Sequence, residues 1–316
     1  VTAVGGESTF PEPRIVVVGS CNVDLTSYLP HLPRPGETVF SSSFSIGFGG
    51  KGANQALMAR RLGARVVMVG CVGRDSFGDM IVANLTDDGI DTTWLERADT
   101  ASTGVAVIWV EPDGTNRIAY SPGANDVVSE RQAAEAVTAI SPAVVLAQFE
   151  IPQAATRAAF AAARRVGATT VLNPAPAAAA DRELRALTDW LVPNEVELAQ
   201  LTSTTSTADE ALLAAADSIS IGGLLVTQGA AGVALVDHDS VLRVPAPAVK
   251  VVDTTGAGDV LIGAFGFGLA RGMSPAAAAE LGVRCASESV QRPGAQAAIP
   301  TPEEAAELVG TGRHWP

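Results

Sequence analysis

Short runs of β-branched and aliphatic residues punctuate the chain, and stretches with helical spacing follow several of them. Residues 14–18 and 66–69 read as buried strands, and 76–88, stopped by Gly89, reads as a helix. The same beat recurs as a strand at 143–147 and a helix at 152–166 closed by Gly167, with further strands at 169–172, 190–192 and 223–227. These runs lack polar alternation, as expected of strands buried on both faces. Their alternation with helices predicts a single α/β domain around a mainly parallel sheet, with helices on both sides.

Two segments break that beat. Residues 25–45 and 104–120 alternate apolar with polar positions, and the second holds Glu111-Pro112-Asp113-Gly114, a hairpin turn. They read as a small antiparallel sheet, either a lid over a substrate cleft or a bare edge; its assembly from distant segments favours the lid. Exposed strands also invite pairing with a second copy of the chain. Residues 1–13, rich in Gly, Pro and small polar side chains, read as a loose tail ahead of a domain spanning 14–316.

Composition narrows the class. With 316 residues, 47% of them hydrophobic and 17% charged, the chain can bury a sizeable core. A formal net charge of −13 argues against non-specific nucleic-acid binding and attachment to anionic membranes, which need clustered Lys and Arg, and favours a small-molecule partner. Cys21, Cys71 and Cys285 have no metal-ligand or Cys-x-x-Cys spacing and read as small core residues in a reducing compartment. No apolar run reaches the length of a membrane span, and residues 1–13 lack a basic segment followed by an apolar one, so a cytoplasmic location is expected.

The chemistry concentrates in Asp253-Thr254-Thr255-Gly256-Ala257-Gly258-Asp259, directly before an apolar helical run at 260–270. Small residues at a helix N-terminus let successive N–H groups converge on an anion, aided by the helix dipole. Asp259 beside that cradle suits proton acceptance next to a phosphate in flight; alone, the motif also fits a helix cap with a solvated Asp. Gly47 to Gln55 offers a second Gly-rich approach. Its G-x-G-x-x-G spacing follows a polar strand rather than a buried one, and Gly52 stands where a P-loop needs Ser or Thr, so neither a dinucleotide fold nor a Walker motif is expected. Lys51 as a donor and Asn54 as donor and acceptor suit a polyhydroxyl compound. Asn22 and Asp24, two apart on an extended chain, read as two acceptors for sugar hydroxyls, or as ordinary strand-end polar residues.

Five segments taken in order, Gly19-Ser20-Cys21-Asn22-Val23-Asp24, Gly49 to Ala56, Asn173-Pro174-Ala175-Pro176-Ala177, Pro193-Asn194-Glu195-Val196-Glu197 and Asp253 to Asp259, resemble the PfkB-type, ribokinase-like carbohydrate kinases. The resemblance implies a three-layer α/β/α sandwich with a β-sheet lid that also forms a homodimer contact, and ATP-dependent phosphorylation of the 5-hydroxyl of D-ribose. By position it assigns Asn22, Asp24, Gly50, Lys51, Asn54 and Glu150 to the sugar and Asp259 to the base, with the N–H groups of Gly256, Ala257 and Gly258 as the anion hole. Asn194, Thr227, Gly229 and Gly258 fall on the ATP side, Asn194 fitting equally as the cap of a helix starting at Glu195. Glu197 would organise Mg2+ through water. Asp253, Thr255, Ser289, Arg292, Gly294 and Ala298 would surround K+, with Ala298 where some relatives have Ser. Gly282-Val283 departs from relatives that place an Asn near the adenine. Lid closure would keep water from the transferring phosphate. A sibling kinase acting on deoxyribose, a nucleoside such as adenosine, or another sugar stands beside the ribose expectation, and a non-catalytic sugar-binding regulator further off.

Overall fold

A computed structural model describes residues 12–237 and 239–310. The expected N-terminal tail thus lies outside the described residues except for Glu12 and Pro13, as do 311–316 at the end of the expected domain. Pairing starts at Pro13, whose carbonyl accepts the Arg65 N–H at 2.9 Å. In the nine-stranded main sheet, β1 (Arg14–Val18) lies between β4 (Arg65–Gly73) and β8 (Val144–Gln148). Outside β4 runs β5 (Asp91–Ala98); outside β8 follow β9 (Thr169–Asn173), β10 (Trp190–Leu191), β11 (Gly223–Thr227), β12 (Val233–Asp237) and β13 (Ser240–Val244). Pairing is parallel from β5 to β11 and antiparallel across β11, β12 and β13, so the sheet is mixed at one edge.

The period of two along β1 explains the layering. Ile15 and Val17 enter one core and Val16 and Val18 the other. Helices α1 (Lys51–Arg61), α2 (Ser76–Asp87), α8 (Ala257–Ala270), α9 (Pro275–Ser289) and α10 (Pro302–Gly310) cover the first face. On the second lie α3 (Glu130–Ile140), α4 (Gln153–Val166), α5 (Arg182–Ala186), α6 (Glu195–Thr202) and α7 (Asp209–Ile219). This is the expected three-layer sandwich. Every residue of α8 from Asp259 to Gly268 is buried, because the helix is wedged between the sheet, α1 and α9. Phe265 meets Trp190 of β10 edge to face, with ring centroids 5.5 Å apart, which ties α8 to the sheet. Cys21, Cys71 and Cys285 are buried thiols. Among the described residues no helix is long and apolar enough to cross a membrane.

The lid is a second sheet of β2 (Asn22–Tyr28), β3 (Ser43–Gly49), β6 (Gly104–Val110) and β7 (Asn116–Ser121), in the order β3, β2, β6, β7. The 104–120 hairpin turns at Glu111 and Gly114, whose N–H bonds the Glu111 carbonyl at 2.9 Å. The 25–45 segment is not one strand region: β2 and β3 are separated by a connection rich in Pro. Nor is the lid wholly antiparallel, since β2 pairs with β6 in parallel. Both strands leave the main sheet from the ends of strands that run the same way, which fixes their common direction. Three strands escaped sequence reading. β5 is interleaved with charges, and β12 and β13 form an edge hairpin without the apolar-run-then-helix beat.

Candidate active site

The carboxyl ends of the parallel strands converge on the N-terminus of α8, where open α/β sheets bind ligands. Gly256 caps that helix with φ of +76°, in the left-handed region, and no side chain closes the cap. The Ala257 N–H turns back to the Thr254 carbonyl at 3.2 Å. The N–H groups of Gly258 and Asp259 make no hydrogen bond within the described residues, so they are the open donors of the first turn. Nothing lies within 4 Å of the place a Gly258 side chain would occupy. Asp259 is not a solvated cap residue: it is 7% exposed, its Oδ2 accepts from Asn54 Nδ2 at 2.9 Å, and its Oδ1 accepts from Gln55 Nε2 at 3.1 Å.

Asn54 is presented by α1, whose start lies against the turn between β1 and β2. The Ala53 N–H bonds the Ser20 carbonyl at 3.0 Å, and a Cβ on Gly52 would fall 2.7 Å from the backbone of Gly19 and Ser20. Gly50, at φ +91°, would clash with Cys21 in the same way. The Gly-Gly-Lys-Gly run is thus a packing requirement that brings Lys51 and Asn54 to Asp259. Burial alone would lower the Lys51 ammonium's pKa, yet Asp259, Glu150 and Glu197 together hold it above the usual lysine value. Glu150, just past the end of β8, takes the Ser20 hydroxyl at 2.5 Å and the Lys51 N–H at 3.2 Å on Oε2. Asn54 Oδ1 is buried without a partner, an acceptor left for a ligand hydroxyl.

On the lid strand β2, Asp24 lies within electrostatic reach of Glu150. Burial, then the charge on Glu150, push its carboxyl up to about 6. Asn22 differs from its reading as an acceptor. Its Oδ1 is taken by Asn125 Nδ2 at 2.7 Å, while Asn125 Oδ1 receives the Cys21 N–H at 3.0 Å. Asn22 is therefore left with its Nδ2 as a donor, and its buried side chain also hydrogen-bonds Tyr120. Asn125 was missed because it sits 103 residues away in a 3-10 turn after β7, and no spacing marks it.

Two cavities meet at this point. One of about 180 Å³ is lined by Lys51, Asn173, Glu197, Gly256 and Asp259; one of about 680 Å³ runs beneath Pro247, Val249, Val251, Val283 and Ser287. Asn194, Thr227 and Gly258 line both, and Gly229 lines the larger. Asn194 is also a true cap: its Oδ1 takes the Glu197 N–H at 2.8 Å, and Glu197 Oε2 takes the Asn194 N–H at 2.8 Å. Burial raises the Glu197 pKa, outweighing that hydrogen bond. Val283 presents an apolar wall, and Ser287, one turn further along α9 and unassigned from sequence, adds a hydroxyl. Gly282 packs on Leu261 instead, where a Cβ would fall 2.9 Å from the Leu261 carbonyl oxygen.

Asp253 ties two loops together. Its Oδ1 accepts from the Thr255 N–H at 2.9 Å and hydroxyl at 2.7 Å, and its Oδ2 from the Gly294 N–H at 2.8 Å. Burial pushes its carboxyl up, but these hydrogen bonds prevail and hold it below the usual value. The Ser289 hydroxyl bonds the Ala286 carbonyl, Arg292 reaches out to Glu288 and Glu304, and Ala298 is buried. Only Asp253 of the six brings a carboxylate to the loop junction. Among the described residues no three His, Cys, Asp or Glu side chains cluster as a metal centre.

Comparison with known proteins agrees with this fold. The model of the pfkB family carbohydrate kinases matches residues 12–302. The chain is 35% identical to a ribokinase of Haemophilus influenzae over 300 residues, covering 93% of this chain and 98% of that one. It is 36% identical to a deoxyribokinase of Salmonella typhimurium over 295 residues, covering 92% and 96%. A solved structure of Arabidopsis thaliana ribokinase complexed with ribose and ATP superposes with a TM-score of 0.88 at 31% identity, covering 95% of this chain and 99% of that one. With its fold, its lid and its match over most of its length, the chain belongs to the pfkB family of carbohydrate kinases, which are phosphotransferases.

Proposed function

We propose that this chain transfers the γ-phosphoryl group of ATP to the 5-hydroxyl of D-ribose, giving D-ribose 5-phosphate and ADP. One observation carries the reading: Asp259, with both oxygens fixed by amides, stands at the open N-terminus of α8 where the two cavities join. The smaller cavity has the polar side chains for a sugar and the larger the apolar walls for a purine. As the 5-oxygen bonds to phosphorus and the bond to ADP breaks, the hydroxyl proton passes to Asp259. Charge on the transferred group meets the turn at Gly256, Ala257 and Gly258, with the Gly258 and Asp259 N–H groups free to donate. Lys51, Asn54, Glu150, Asp24 and Asn22 orient the sugar; Asn194, Thr227 and Gly229 border the nucleotide.

Glu197 fits a role toward magnesium through water, since it lines the cavity beside Asp259 with Oε2 alone held by Asn194. Magnesium held there would supply charge neutralisation to the phosphate groups. Oxygen donors suit a monovalent cation such as potassium, which Asp253 and the carbonyls of Thr255, Ser289, Arg292, Gly294 and Ala298 would hold. The exposed Phe44, Ile46 and Ile118 on the lid support a homodimer through that sheet, which light scattering of wild type and Ile118→Glu would test; an unchanged dimer in the variant would place the contact elsewhere.

A coupled ADP-release assay across ribose, 2-deoxyribose, adenosine, fructose and fructose 6-phosphate tests the acceptor. Ribose is expected to give the highest kcat/KM. A higher value with 2-deoxyribose would favour the second reading, to which the Salmonella relative lends weight, and absence of turnover with every acceptor would remove the kinase assignment.

A further inference from the structure

We propose that Gln55 and Gln148 form a positioning relay that orients Asp259 as a proton acceptor, an inference that rests on Asp259 being the base. Asp259 Oδ1 accepts from Gln55 Nε2 at 3.1 Å, and Gln55 Oε1 accepts from Gln148 Nε2 at 2.7 Å. Both glutamines are fully buried, Gln55 next to Asn54 in α1 and Gln148 at the end of the apolar strand β8.

The direction of the relay follows from the carboxylate. An ionised Asp only accepts, so Gln55 must turn its Nε2 toward it and keep its Oε1 for another donor. Gln148 is that donor. Reversing Gln55 would set two oxygens against each other. The last acceptor in the line, Gln148 Oε1, is buried without a partner. An orphaned buried acceptor destabilises the fold, so this orientation is held at the expense of stability. Gly19 makes the room: a Cβ there would lie 2.0 Å from Gln148 Oε1. The end of β8 thus delivers Gln148 to the relay and, two residues on, Glu150 to the sugar side.

With Oδ1 occupied from the buried side, the incoming proton goes to Oδ2, which Asn54 shares with the cleft. On its Oδ1 side the carboxylate is preorganised by amides that neither touch substrate nor carry charge. The charged groups around Asp259 come from other positions: Lys51 at the start of α1, Glu197 on α6 and Glu150 beyond β8.

The test is steady-state kinetics of the intact chain for Gln55→Leu, Gln148→Leu, their double variant, Gln55→Glu and Asp259→Asn, with thermal melts to establish folding. Gln55→Leu should lose kcat by roughly 10-fold to 100-fold, as expected for a misplaced catalytic group, with sugar KM within about threefold of wild type. Gln148→Leu should lose kcat in the same direction. The double variant should be no worse than Gln55→Leu, because Gln148 acts only through Gln55. In Gln55→Glu, a protonated carboxyl can donate to Asp259 and accept from Gln148. Its kcat should approach wild type at low pH and fall as that acid ionises beside Asp259, a profile a mere packing role would not produce. If Gln55→Leu does not fold, the Gln55→Glu profile decides. Wild-type kcat in folded Gln55→Leu, additive losses in the double variant, or a wild-type pH profile in Gln55→Glu would overturn the relay. Near-normal turnover of Asp259→Asn would overturn the base assignment beneath it.

Discussion

Asn125 Nδ2 lies 2.7 Å from Asn22 Oδ1, across 103 residues of chain and between the core and the lid. The contact fixes the orientation of the Asn22 amide, with its Oδ1 held by Asn125. Because Asn125 also takes the Cys21 N–H on its own oxygen, it cannot turn over without losing two bonds. A Cβ on Gly104 would sit 2.3 Å from Asn125 Nδ2, so the neighbouring lid strand is also shaped around this pair.

Replacing Asn125 by Ala should free Asn22 to rotate. Sugar KM is expected to rise about tenfold, the scale of one misoriented hydrogen bond, and stability to fall by about 1–3 kcal/mol because the buried Cys21 N–H loses its acceptor. Nucleotide affinity should stay within twofold or so of wild type, since Asn125 lies on the sugar side. Kinetics with denaturant unfolding check both parts, and an unchanged sugar KM in a destabilised variant would reduce Asn125 to a structural tie.

Much of this was open to sequence reading, and the divide is physical. The β1 run, the helices closed by Gly89 and Gly167, and the turn at Asp113-Gly114 are set by neighbours in the chain, so their patterns are local. The Gly-rich segments were legible because close backbone approach requires residues without side chains. The amide partners were not: Asn125, Gln55 and Gln148 act through contacts set by strand order and helix packing. Gln148 did leave a trace, an amide closing an apolar run, but that trace does not name its partner. The mixed lid was equally hidden, because the β2–β6 pairing depends on where two distant strands leave the main sheet.

Asp24 should make sugar binding pH-dependent. Its carboxyl sits near 6 in the folded chain against an ordinary 3.8, because burial and Glu150 disfavour its charge. Below that value it is protonated and loses acceptor capacity, so ribose Kd should rise as pH falls from about 7 to 5, while ATP Kd changes little. The sign for stability is opposite. A raised folded value means that the folded chain holds the proton more tightly, so this group favours folding below 3.8 and that contribution is lost as pH rises through 6. Asp24→Asn should flatten both trends. Calorimetry and thermal melts at pH 5 and 7.5 would show it, and an identical pH response in wild type and variant would discard Asp24 as the source.

Asp259→Asn should keep the fold and bind both substrates while losing roughly 10²-fold to 10⁴-fold in turnover, the range for removal of a general base. Asn54→Ala should act twice over, because Asn54 both faces the sugar and holds Asp259 Oδ2. Sugar affinity and kcat should fall together, with nucleotide affinity nearly intact. Calorimetry showing lost ATP binding and normal sugar binding would move this loop to the nucleotide side.

Asp253 offers the test of the monovalent cation. Its carboxylate joins the segment before α8 to Gly294, so an ion held there would stiffen the Gly256–Gly258 turn without touching either substrate. Activity should rise on titration with potassium and stay low in sodium alone, and Asp253→Ala should lose the response. That variant also loses three hydrogen bonds, so its melting temperature should fall with or without potassium. The separating measurement is the ion-induced shift in melting temperature for each protein at fixed ionic strength. Wild type should be stabilised by potassium and Asp253→Ala should not. Because Ala298 brings no hydroxyl to the loop, caesium belongs in the same series, as the larger ion asks less of each ligand. A wild type indifferent to all three ions after contaminating potassium is removed would leave Asp253 as the tie between two loops and nothing more.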